Sequence, residues 1–500
     1  MMTEKVVMGI DQGTTGTKVV LFDRNSEIVG SAYSEFTQYF PKPGWVEHDA
    51  NEIWEVTMRV AEEALKDADV SAEDLAAIGI TNQRETTTFW DKRTGEPAAR
   101  SIVWQDRRTL PICERLKAKD REGIEARTGA IIVPNAAATK IRWLLDNNEN
   151  VKQGVVDGDL VYGTIDTWLV WKLSGGAAHV TDHSNAAVTL LLNERTLDYD
   201  EEIVEELDIP PEILPELRGS SEVYAYTDPD VFFGAKVPIA GIAGDQQSAA
   251  FGQACVRPGM VKNTYGTGCF MIMNTGDKYV PAAKGMMSPA LWTIDDETTY
   301  GIEAIADVCG AVVQWLRDGL GIIDDPSEAQ ELATQVEDSL GVYFVPAFVG
   351  LGAPYLDSYA RGTIIGLTRG ATEKHVARAA LESMAYQTRD FISTMEDLAG
   401  VEVETLRVDG GAVKSDFVCQ FQADIIGVPV DRPVVTETTV LGATYLAGLA
   451  VGFWDSVEEI AEKWRLDRRF EPQMDPDRRE ELYAGWQKAC RRAAGWLKEE

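Results

Sequence analysis

A segment rich in glycine and threonine, GIDQGTTGTKVVLF at residues 9–22, constrains the fold more than any other part of this sequence. It lies between an apolar run at residues 6–10 and a β-branched run at residues 18–22. A helix follows the dinucleotide-binding loop of a Rossmann fold, whereas a strand follows this segment, so a Rossmann loop is excluded. The pattern predicts two strands joined by a turn whose amides and hydroxyls approach a ligand closely.

A second hairpin of the same kind is predicted in the other half of the chain. Strand-like residues 260–265 and 269–273 flank the turn Gly266-Thr267-Gly268. A chain of 500 residues is too long for one ordinary core, so we expect two domains, at residues 1–253 and 254–500. The paired hairpins suggest a duplicated domain whose halves face each other, although glycine-rich hairpins are common and leave this open.

Local patterns predict further elements: strands at 28–36 and 406–408, and helices at 52–66, 373–399 and 412–426. Gly400 supplies a stop for the long helix at 373–399. The turn Asp409-Gly410-Gly411 connects the strand at 406–408 to the helix predicted after it. Free amides in such a strand-to-helix turn suit the phosphates or the ribose of a nucleotide.

The net charge of −34 argues against binding to nucleic acid or to anionic membranes. No apolar stretch approaches the roughly 20 residues that a membrane-spanning helix needs. The apolar stretch at the start of the sequence is too short for a signal peptide. The sequence therefore predicts a cytoplasmic protein that binds neither nucleic acid nor membrane.

The cysteines and histidines show no metal-binding pattern. The six cysteines are scattered without a CxxC pair, so neither a zinc site nor a disulfide framework is indicated, and reduced thiols are expected. The four histidines form no HxxxH or HExxH pattern, which argues against histidine-based metal catalysis.

Two aspartates at the ends of apolar runs are candidates for phosphoryl-transfer chemistry. Asp11 lies at the mouth of the first turn, where one carboxylate together with phosphates can hold Mg²⁺; the alternative is a turn or capping residue. Asp245, in GIAGDQQSAAFG at 241–252, can take the proton from a hydroxyl that attacks a phosphorus atom. Its alternative is the N-cap of the helix predicted to start there.

The segment TNQRET at 81–86 places Arg84 beside Glu85 after an apolar strand. A charged pair at a strand end is usually a solvated loop. The functional alternative is recognition of hydroxyl groups, with Arg84 donating hydrogen bonds and Glu85 accepting them. Trp104, in IVWQDRRT, is either the wall of such a pocket or an ordinary core residue.

Longer motifs in this order resemble the glycerol kinases of the FGGY carbohydrate kinase family. The motifs are DQGTT (11–15), PGWVEHD (43–49), GITNQRETT (79–87), VWQDRRT (103–109), GDQQ (244–247), NTYGTGCF (263–270) and VDGGAVK (408–414). The resemblance implies an α/β fold of the actin and hexokinase superfamily, with two ribonuclease-H-like domains around an active-site cleft. It also implies a kinase that uses ATP and Mg²⁺ to phosphorylate a small polyol.

The resemblance also implies roles for individual residues. Asp245 is then the general base, and Asp11 serves Mg²⁺. The polyol ligands are expected to be Arg84, Glu85, Trp104, Asn135, Asp245, Gln246 and Phe270. The nucleotide contacts are expected to be Thr14, Thr15, Gly16, Lys18, Thr267, Gly310, Gln314, Gly411 and Ser415, although Ser415 stands where asparagine is usual.

Several residues depart from the family pattern in segments expected near the cleft. Asn135 and Ala136 stand where the family has a tyrosine and a second aromatic residue, and Val188 stands where arginine is usual. Ala306 and Asp307 replace part of an apolar run, and Val349 and Leu356 replace a threonine and a tryptophan. A pocket without the tyrosine can admit a longer acceptor, but Asn135 can still form hydrogen bonds to glycerol.

Glycerol is therefore the favoured acceptor, and the alternatives are erythritol, threitol, dihydroxyacetone or a pentulose. Two further alternatives are an actin-like nucleotide switch and a homologue that binds nucleotide without turnover. The sequence lacks the glycine-rich loop for fructose 1,6-bisphosphate and the phosphorylatable histidine of some relatives, so neither control is predicted. Relatives often form dimers or tetramers, so the resemblance leaves a homodimer or a homotetramer open.

Overall fold

Two mixed β-sheets, one in each half of the chain, form the framework of the computed structural model, which describes residues 5–498. The first sheet has six strands and the second has seven, and each contains one of the two predicted hairpins. Helices pack against both sheets. The α/β class and the two hairpins predicted from the sequence are confirmed.

The elements of the first half follow in chain order. Its strands are β1 (Val6–Gln12), β2 (Gly16–Phe22), β3 (Ile28–Glu35), β4 (Glu47–His48), β5 (Leu75–Asn82), β6 (Thr88–Asp91), β7 (Ser101–Ile102), β8 (Leu160–Gly163), β9 (Val180–Asp182), β10 (Leu192–Asn193), β11 (Asp198–Tyr199), β12 (Glu216–Arg218), β13 (Ser221–Tyr226) and β14 (Pro238–Gly244). Its helices are α1 (Ala50–Asp67), α2 (Leu110–Thr128), α3 (Ala137–Asn147), α4 (Glu149–Val156), α5 (Ile165–Leu173), α6 (His183–Ala186), α7 (Glu201–Glu206) and α8 (Asp245–Gly252).

The second half has fewer strands. They are β15 (Met260–Tyr265), β16 (Cys269–Gly276), β17 (Ala290–Ile294), β18 (Glu297–Ala306), β19 (Tyr343–Val345), β20 (Thr363–Ile365), β21 (Thr405–Gly410), β22 (Val430–Pro433) and β23 (Leu466–Phe470). Its helices are α9 (Ala311–Asp318), α10 (Pro326–Ala333), α11 (Glu373–Ala399), α12 (Asp416–Ile426), α13 (Thr438–Ala450), α14 (Val457–Lys463) and α15 (Pro476–Ala493). Within residues 5–498, none of the helices combines the length and the apolar character that crossing a bilayer requires.

The two sheets repeat one strand pattern around their hairpins. In the first sheet, of order β13-β14-β5-β1-β2-β3, β1 pairs antiparallel with β2 and parallel with β5. In the second, of order β17-β18-β16-β15-β21-β22-β23, β15 pairs antiparallel with β16 and parallel with β21. In each sheet, one further strand pairs antiparallel with the second strand of the hairpin: β3 with β2, and β18 with β16. Another pairs parallel with the strand on the other side of the hairpin: β14 with β5, and β22 with β21. This repetition supports the duplicated-domain interpretation.

Each sheet has its own hydrophobic core. In the first half, α1 buries Ile53 and Val60 against the strands of the hairpin. In the second half, the long helix α11 buries Leu381, Met384 and Met395 in the core that contains β15 and β16. The stop predicted for this helix is confirmed, because Gly400 follows it in the left-handed conformation with φ of 67°.

Helix α13 of the second half packs directly on the first sheet through a row of glycines. Gly9, Gly79 and Gly241 are register partners on β1, β5 and β14. A Cβ atom on Gly79 would lie 2.1 Å from the backbone oxygen of Ala443, and one on Gly241 would lie 2.4 Å from the backbone nitrogen of Ala447. Because no side chain separates them, the helix lies directly against the strand backbones. At the start of the helix, Glu437 pairs with Lys18 of the first half and Thr438 donates a hydrogen bond to Asp409 of the second half.

The helix predicted at 412–426 begins later than expected. Residues Gly411–Lys414 form a 3₁₀ turn, and the α-helix starts at Asp416. The reason is that the side chain of Ser415 accepts a hydrogen bond from the backbone N–H of Val418 and so acts as the N-cap.

The expectation that all cysteines are reduced is wrong for one pair. Cys269, at the start of β16, forms a disulfide with Cys309, which precedes α9. The turn between β15 and β16 brings them together, because the backbone N–H of Cys309 donates to the oxygen of Thr267. Forty residues separate the two positions in the sequence, so no local spacing signals the pair. The other four cysteines are free and buried.

Candidate active site

The first hairpin presents Asp11 and Lys18 as register partners on β1 and β2. The turn between them is closed by the Gly13 N–H, which donates to the Gly16 oxygen at 3.0 Å. Lys18 Nζ lies 2.6 Å from Oε1 of Glu437, the residue that directly precedes α13. The hairpin therefore meets the second half of the chain through Lys18. The other predicted phosphate contacts of this turn differ in exposure: Thr14 is half-buried, Thr15 exposed and Gly16 buried.

Asp11 lies in negative surroundings that a divalent cation would relieve. Burial, Asp245 and Glu437 raise the pKa of its carboxyl to about 7, against the lowering effect of Lys18. Within residues 5–498, no three or more histidine, cysteine, aspartate or glutamate side chains are grouped as a metal site. The single carboxylate of Asp11 fits Mg²⁺, because this ion takes one or two carboxylates and completes its shell with water and phosphate oxygens.

Arg84 is buried at the end of β5 and connects the two halves, so the solvated-loop interpretation is wrong. Its Nη1 and Nη2 donate to the two carboxylate oxygens of Glu303 at 2.7 and 2.6 Å. Its Nε lies 3.0 Å from Asp245 Oδ1, and Nη1 also donates to Gln247 Oε1 at 3.2 Å. Burial disfavours the charged guanidinium, but Glu303 and Asp245 raise the pKa of Arg84 above its ordinary value.

Glu85 is buried in a strained backbone conformation. Its φ of 65° lies in the left-handed region that non-glycine residues rarely adopt, and such strain is frequent at functional sites. Burial raises the pKa of its carboxyl to about 7, although Lys140 and Arg84 lower it. Among residues 5–498, the Glu85 carboxylate receives no hydrogen bond, while Lys140 Nζ donates to its backbone oxygen at 3.1 Å. The carboxylate is therefore free to accept hydrogen bonds from a ligand.

Asp245 opens helix α8 and remains accessible. Gly244 is the N-cap and Asp245 the first helical residue, so the N-cap interpretation of Asp245 is wrong. Its side chain is 34% exposed although the residue contacts buried Arg84. Burial raises the pKa of the Asp245 carboxyl, while Arg84 and Lys262 lower it. A carboxylate in this position can accept a proton from a ligand hydroxyl.

The remaining predicted polyol ligands are linked to these residues. Trp104 Nε1 donates to Thr14 Oγ1 at 2.9 Å, which connects this ring to the first turn. Lys140 Nζ donates to the backbone oxygens of both Asn135 and Glu85. Gln246 and Phe270 both contact Lys262. Its Nζ lies 2.5 Å from Gln246 Oε1 and 3.4 Å from the backbone oxygen of Phe270.

The residues that depart from the family pattern occupy different environments. Ala136 and Val188 are buried, and Asn135 Oδ1 accepts a hydrogen bond from Arg107 Nη1 at 3.0 Å. Asp307, Val349 and Leu356 are exposed, the last two at 65% and 52%. Of these positions, only Asn135 is connected through Lys140 to Glu85.

Sequence reasoning missed two residues of this cluster, Lys262 and Glu303. Both are fully buried in strands of the second sheet. Burial lowers the pKa of the Lys262 ammonium, while Asp409, Asp245 and Glu303 raise it. A charged residue inside a strand is a signal of a buried ion pair, because such charges are buried only when they are paired, but this signal does not identify the partner.

A cavity of about 580 Å³ lies in the second half. Apolar side chains, among them Val313, Leu381, Met384 and Val418, line one part of it. The predicted nucleotide contacts of this half all line it as well: Thr267, Gly310, Gln314, Gly411 and Ser415. Its size and its mixture of apolar walls with glycine backbone suit a nucleotide.

Comparisons with known proteins agree with this arrangement. Family models for the N-terminal and C-terminal domains of the FGGY family of carbohydrate kinases match residues 6–252 and 261–451. Glycerol kinase 2 of Thermotoga maritima is 56% identical over 99% of this chain and 100% of its own length. The glycerol kinase of Carboxydothermus hydrogenoformans is 56% identical over the whole of both chains. The crystal structure of Plasmodium falciparum glycerol kinase with ADP superposes with a TM-score of 0.93, at 37% identity over 98% of both chains.

Proposed function

The chain belongs to the FGGY family of carbohydrate kinases, and we propose that it transfers the terminal phosphoryl group of ATP to a terminal hydroxyl of glycerol. The product is sn-glycerol 3-phosphate. The observation that carries this proposal is the cluster of Arg84, Glu85 and accessible Asp245, which complements a cavity of nucleotide size in the second half. Relatives named glycerol kinase, 56% identical over nearly the whole chain, support the choice of acceptor.

We infer that the first half, residues 1–253, supplies the acceptor ligands other than Phe270. A small polyol has a polar edge of hydroxyl groups and an apolar edge of C–H bonds. Arg84 would donate hydrogen bonds to the polar edge. The carboxylate of Glu85, which receives no hydrogen bond from residues 5–498, would accept hydrogen bonds from the hydroxyl groups. Trp104 and Phe270 would cover the apolar edge, with Asn135 and Gln246 as further polar contacts.

Asp245 would act as general base in the transfer. It takes the proton of the attacking hydroxyl, whose oxygen forms a bond to the γ-phosphorus while the bond from that phosphorus to the bridging oxygen breaks. ADP leaves with the electron pair of the broken bond. Such a transfer depends on positioning and charge stabilisation and does not need a covalent nucleophile. The amide-rich turns are consistent with this requirement.

The second half, residues 254–500, would hold ATP in its cavity. Thr267 would contact the phosphates, and Gly310, Gln314, Gly411 and Ser415 the rest of the nucleotide. From the first hairpin, Thr14, Thr15, Gly16 and Lys18 would contact the transferred phosphate. Mg²⁺ bound at Asp11 would neutralise phosphate charge. Because the reaction consumes ATP, we infer a cytoplasmic location, and a homodimer or a homotetramer stays a prediction for sedimentation analysis.

A second candidate acceptor is a longer polyol or a ketose. The observation that favours it is the short side chain of Asn135, which adjoins the Lys140–Glu85 contact where the family pattern has an aromatic ring. A smaller side chain leaves room for one or two additional carbon atoms.

ADP release from ATP, measured with glycerol, erythritol, threitol, dihydroxyacetone, a pentulose and no acceptor, tests the proposal. Glycerol should give the highest kcat/KM. A higher value with a longer acceptor would overturn the glycerol assignment and keep the kinase. ATP hydrolysis that does not depend on any acceptor would instead support a nucleotide switch.

Asp245→Asn tests the catalytic role separately. It should lower kcat by about 10²–10⁴ while ADP affinity stays unchanged, because a general base contributes on that order. Asp200→Asn is the matched control, since Asp200 is a buried carboxylate whose ion pair, at 3.0 Å, is with Arg127 and not with Arg84. Near-normal turnover in Asp245→Asn would remove Asp245 from the mechanism.

A further inference from the structure

Two charged residues of the second sheet lie in one row that faces the acceptor cluster of the first half. Lys262 on β15 is the register partner of Ile272 on β16, and Ile272 is the register partner of Glu303 on β18. Register partners on adjacent strands project to the same face of a sheet. Lys262 and Glu303 therefore flank Ile272 on one face, and both are fully buried.

Each of these residues binds a proposed acceptor ligand that belongs to the other half. Glu303 accepts two hydrogen bonds from Arg84, at 2.7 and 2.6 Å. Lys262 Nζ lies 2.5 Å from Gln246 Oε1. A charge buried in a strand is unfavourable unless it is paired, and these pairs cross from one half to the other. The pairing therefore fixes side chains of the first half from the sheet of the second.

The hydrogen-bond inventory of Arg84 shows what Glu303 controls. A guanidinium has five N–H donors. One N–H of Nη1 goes to Glu303 and one to Gln247, one of Nη2 goes to Glu303, and Nε lies against Asp245. Among residues 5–498, the second N–H of Nη2 has no partner. The bidentate contact with Glu303 fixes the plane of the guanidinium and with it the direction of this free donor.

We propose that Glu303 is a positioning residue for the acceptor: it aims the free Nη2 donor of Arg84 at an acceptor hydroxyl, while Lys262 orients Gln246 from the same row. Acceptor recognition then requires Glu303 and Lys262 of the second half in addition to Phe270, although Arg84 and Gln246 belong to the first half. This inference rests on the proposed polyol kinase function and adds two residues to its acceptor site.

Glu303→Gln tests the inference, because it keeps the side-chain volume but replaces one carboxylate oxygen by an NH₂ group, which cannot accept a hydrogen bond from Arg84. The KM for glycerol should rise by about tenfold or more, as expected for losing a hydrogen bond between charged groups. The KM for ATP and the dissociation constant of ADP should stay unchanged. Glu303→Asp keeps the charge and should show a smaller rise in the KM for glycerol.

Asp200→Asn is the control for a merely structural effect, since it also removes a buried carboxylate bound to an arginine. It should change the melting temperature without changing the KM for glycerol. If Glu303→Gln lowers the melting temperature but keeps the wild-type KM for glycerol, Glu303 is only structural and the inference is overturned. If Glu303→Gln does not fold, Glu303→Asp and Lys262→Met carry the test with the same criterion, a selective rise in acceptor KM.

The failure of the proposed function looks different from the failure of this inference. If wild-type protein shows no acceptor-dependent ADP release with any polyol or ketose, the proposed function fails, and the inference fails with it. If wild-type protein is active and the Glu303 and Lys262 variants alter acceptor and nucleotide constants equally, only the inference is overturned.

Discussion

Lys18 Nζ lies 2.6 Å from Glu437 Oε1, and this ion pair joins the first hairpin to the residue that precedes α13. The two side chains belong to different halves of the chain and are 31% and 36% exposed. A pair that is this exposed contributes at most about 1 kcal/mol to stability. We expect the pair to affect nucleotide binding as well, because the Glu437 carboxylate is bound to a lysine that we propose as a phosphate ligand.

Glu437→Gln should lower the KM for ATP by roughly fivefold, because it removes a negative charge that repels the phosphates and competes for Lys18, an interaction of about 1 kcal/mol. Steady-state kinetics with varied ATP at saturating glycerol measure this. Lys18→Met is the companion variant and should raise the KM for ATP. A higher KM for ATP in Glu437→Gln would show instead that Glu437 holds Lys18 in place for binding.

Gly310→Ala should weaken nucleotide binding. A Cβ atom on Gly310 would lie 2.4 Å from the backbone oxygen of Gly266, so the second turn would have to shift, and the KM for ATP should rise roughly tenfold, as for overpacking by 1–3 kcal/mol. Calorimetry with ADP gives the same change in affinity. The control is Gly370→Ala, where the nearest atom would be at 3.4 Å. Equal ADP affinities in both variants would contradict the proposed role of this turn.

Features that depend on a short stretch of chain could be predicted from the sequence. The two hairpins follow from glycine and threonine between apolar or β-prone runs, and the end of α11 follows from Gly400. Arg84, Glu85 and Asp245 could be proposed because each follows an apolar strand, where parallel strands place their functional side chains. The structure brings Arg84 and Asp245 into contact at 3.0 Å.

Features that depend on register between distant strands could not be predicted. Lys262 and Glu303 lie on one face, on either side of Ile272, only because β16 lies between β15 and β18 in this register. Cys269 and Cys309 come together because β16 pairs with β18, where Cys269 is the register partner of Ala306, and because the Cys309 N–H donates to the Thr267 oxygen. The apolar pattern predicts a start at residue 412 for α12, but the helix begins at Asp416, because the N-cap formed by Ser415 outweighs that pattern.

Gly79→Ala should destabilise the whole fold without touching the site. The new Cβ atom would lie 2.1 Å from the backbone oxygen of Ala443, and neither β5 nor α13 can move without disturbing the neighbouring glycine contacts. We expect the free energy of unfolding to fall by about 3 kcal/mol, the upper part of the range for overpacking. Urea denaturation measures it, again with Gly370→Ala as the control. An unchanged midpoint would mean that α13 does not pack on the glycine row.

Glu85→Gln should make the protein more stable above neutral pH. Burial raises the pKa of the Glu85 carboxyl from 4.5 to about 7, so between these values the native protein holds a proton that the unfolded chain has released. Stability from this group is therefore fully present below pH 4.5 and is lost as the pH rises through 7. Glutamine stays neutral throughout. The melting temperature of Glu85→Gln should exceed that of wild type at pH 8, and the difference should vanish near pH 5.

The same substitution should remove one component of the pH dependence of acceptor binding. Ionised Glu85 accepts hydrogen bonds from hydroxyl groups, so the wild-type KM for glycerol should rise as the pH falls below about 7. The charged groups around it are Lys140, Arg84, Asp245 and Glu303; of these, Asp245 would titrate mainly in kcat, because it is the proposed base. Glu85→Gln should therefore show a higher KM for glycerol that no longer varies between pH 6 and 8, with the pH dependence of kcat retained. A KM that still rises at low pH in this variant would assign the titration to another group, because glutamine cannot ionise.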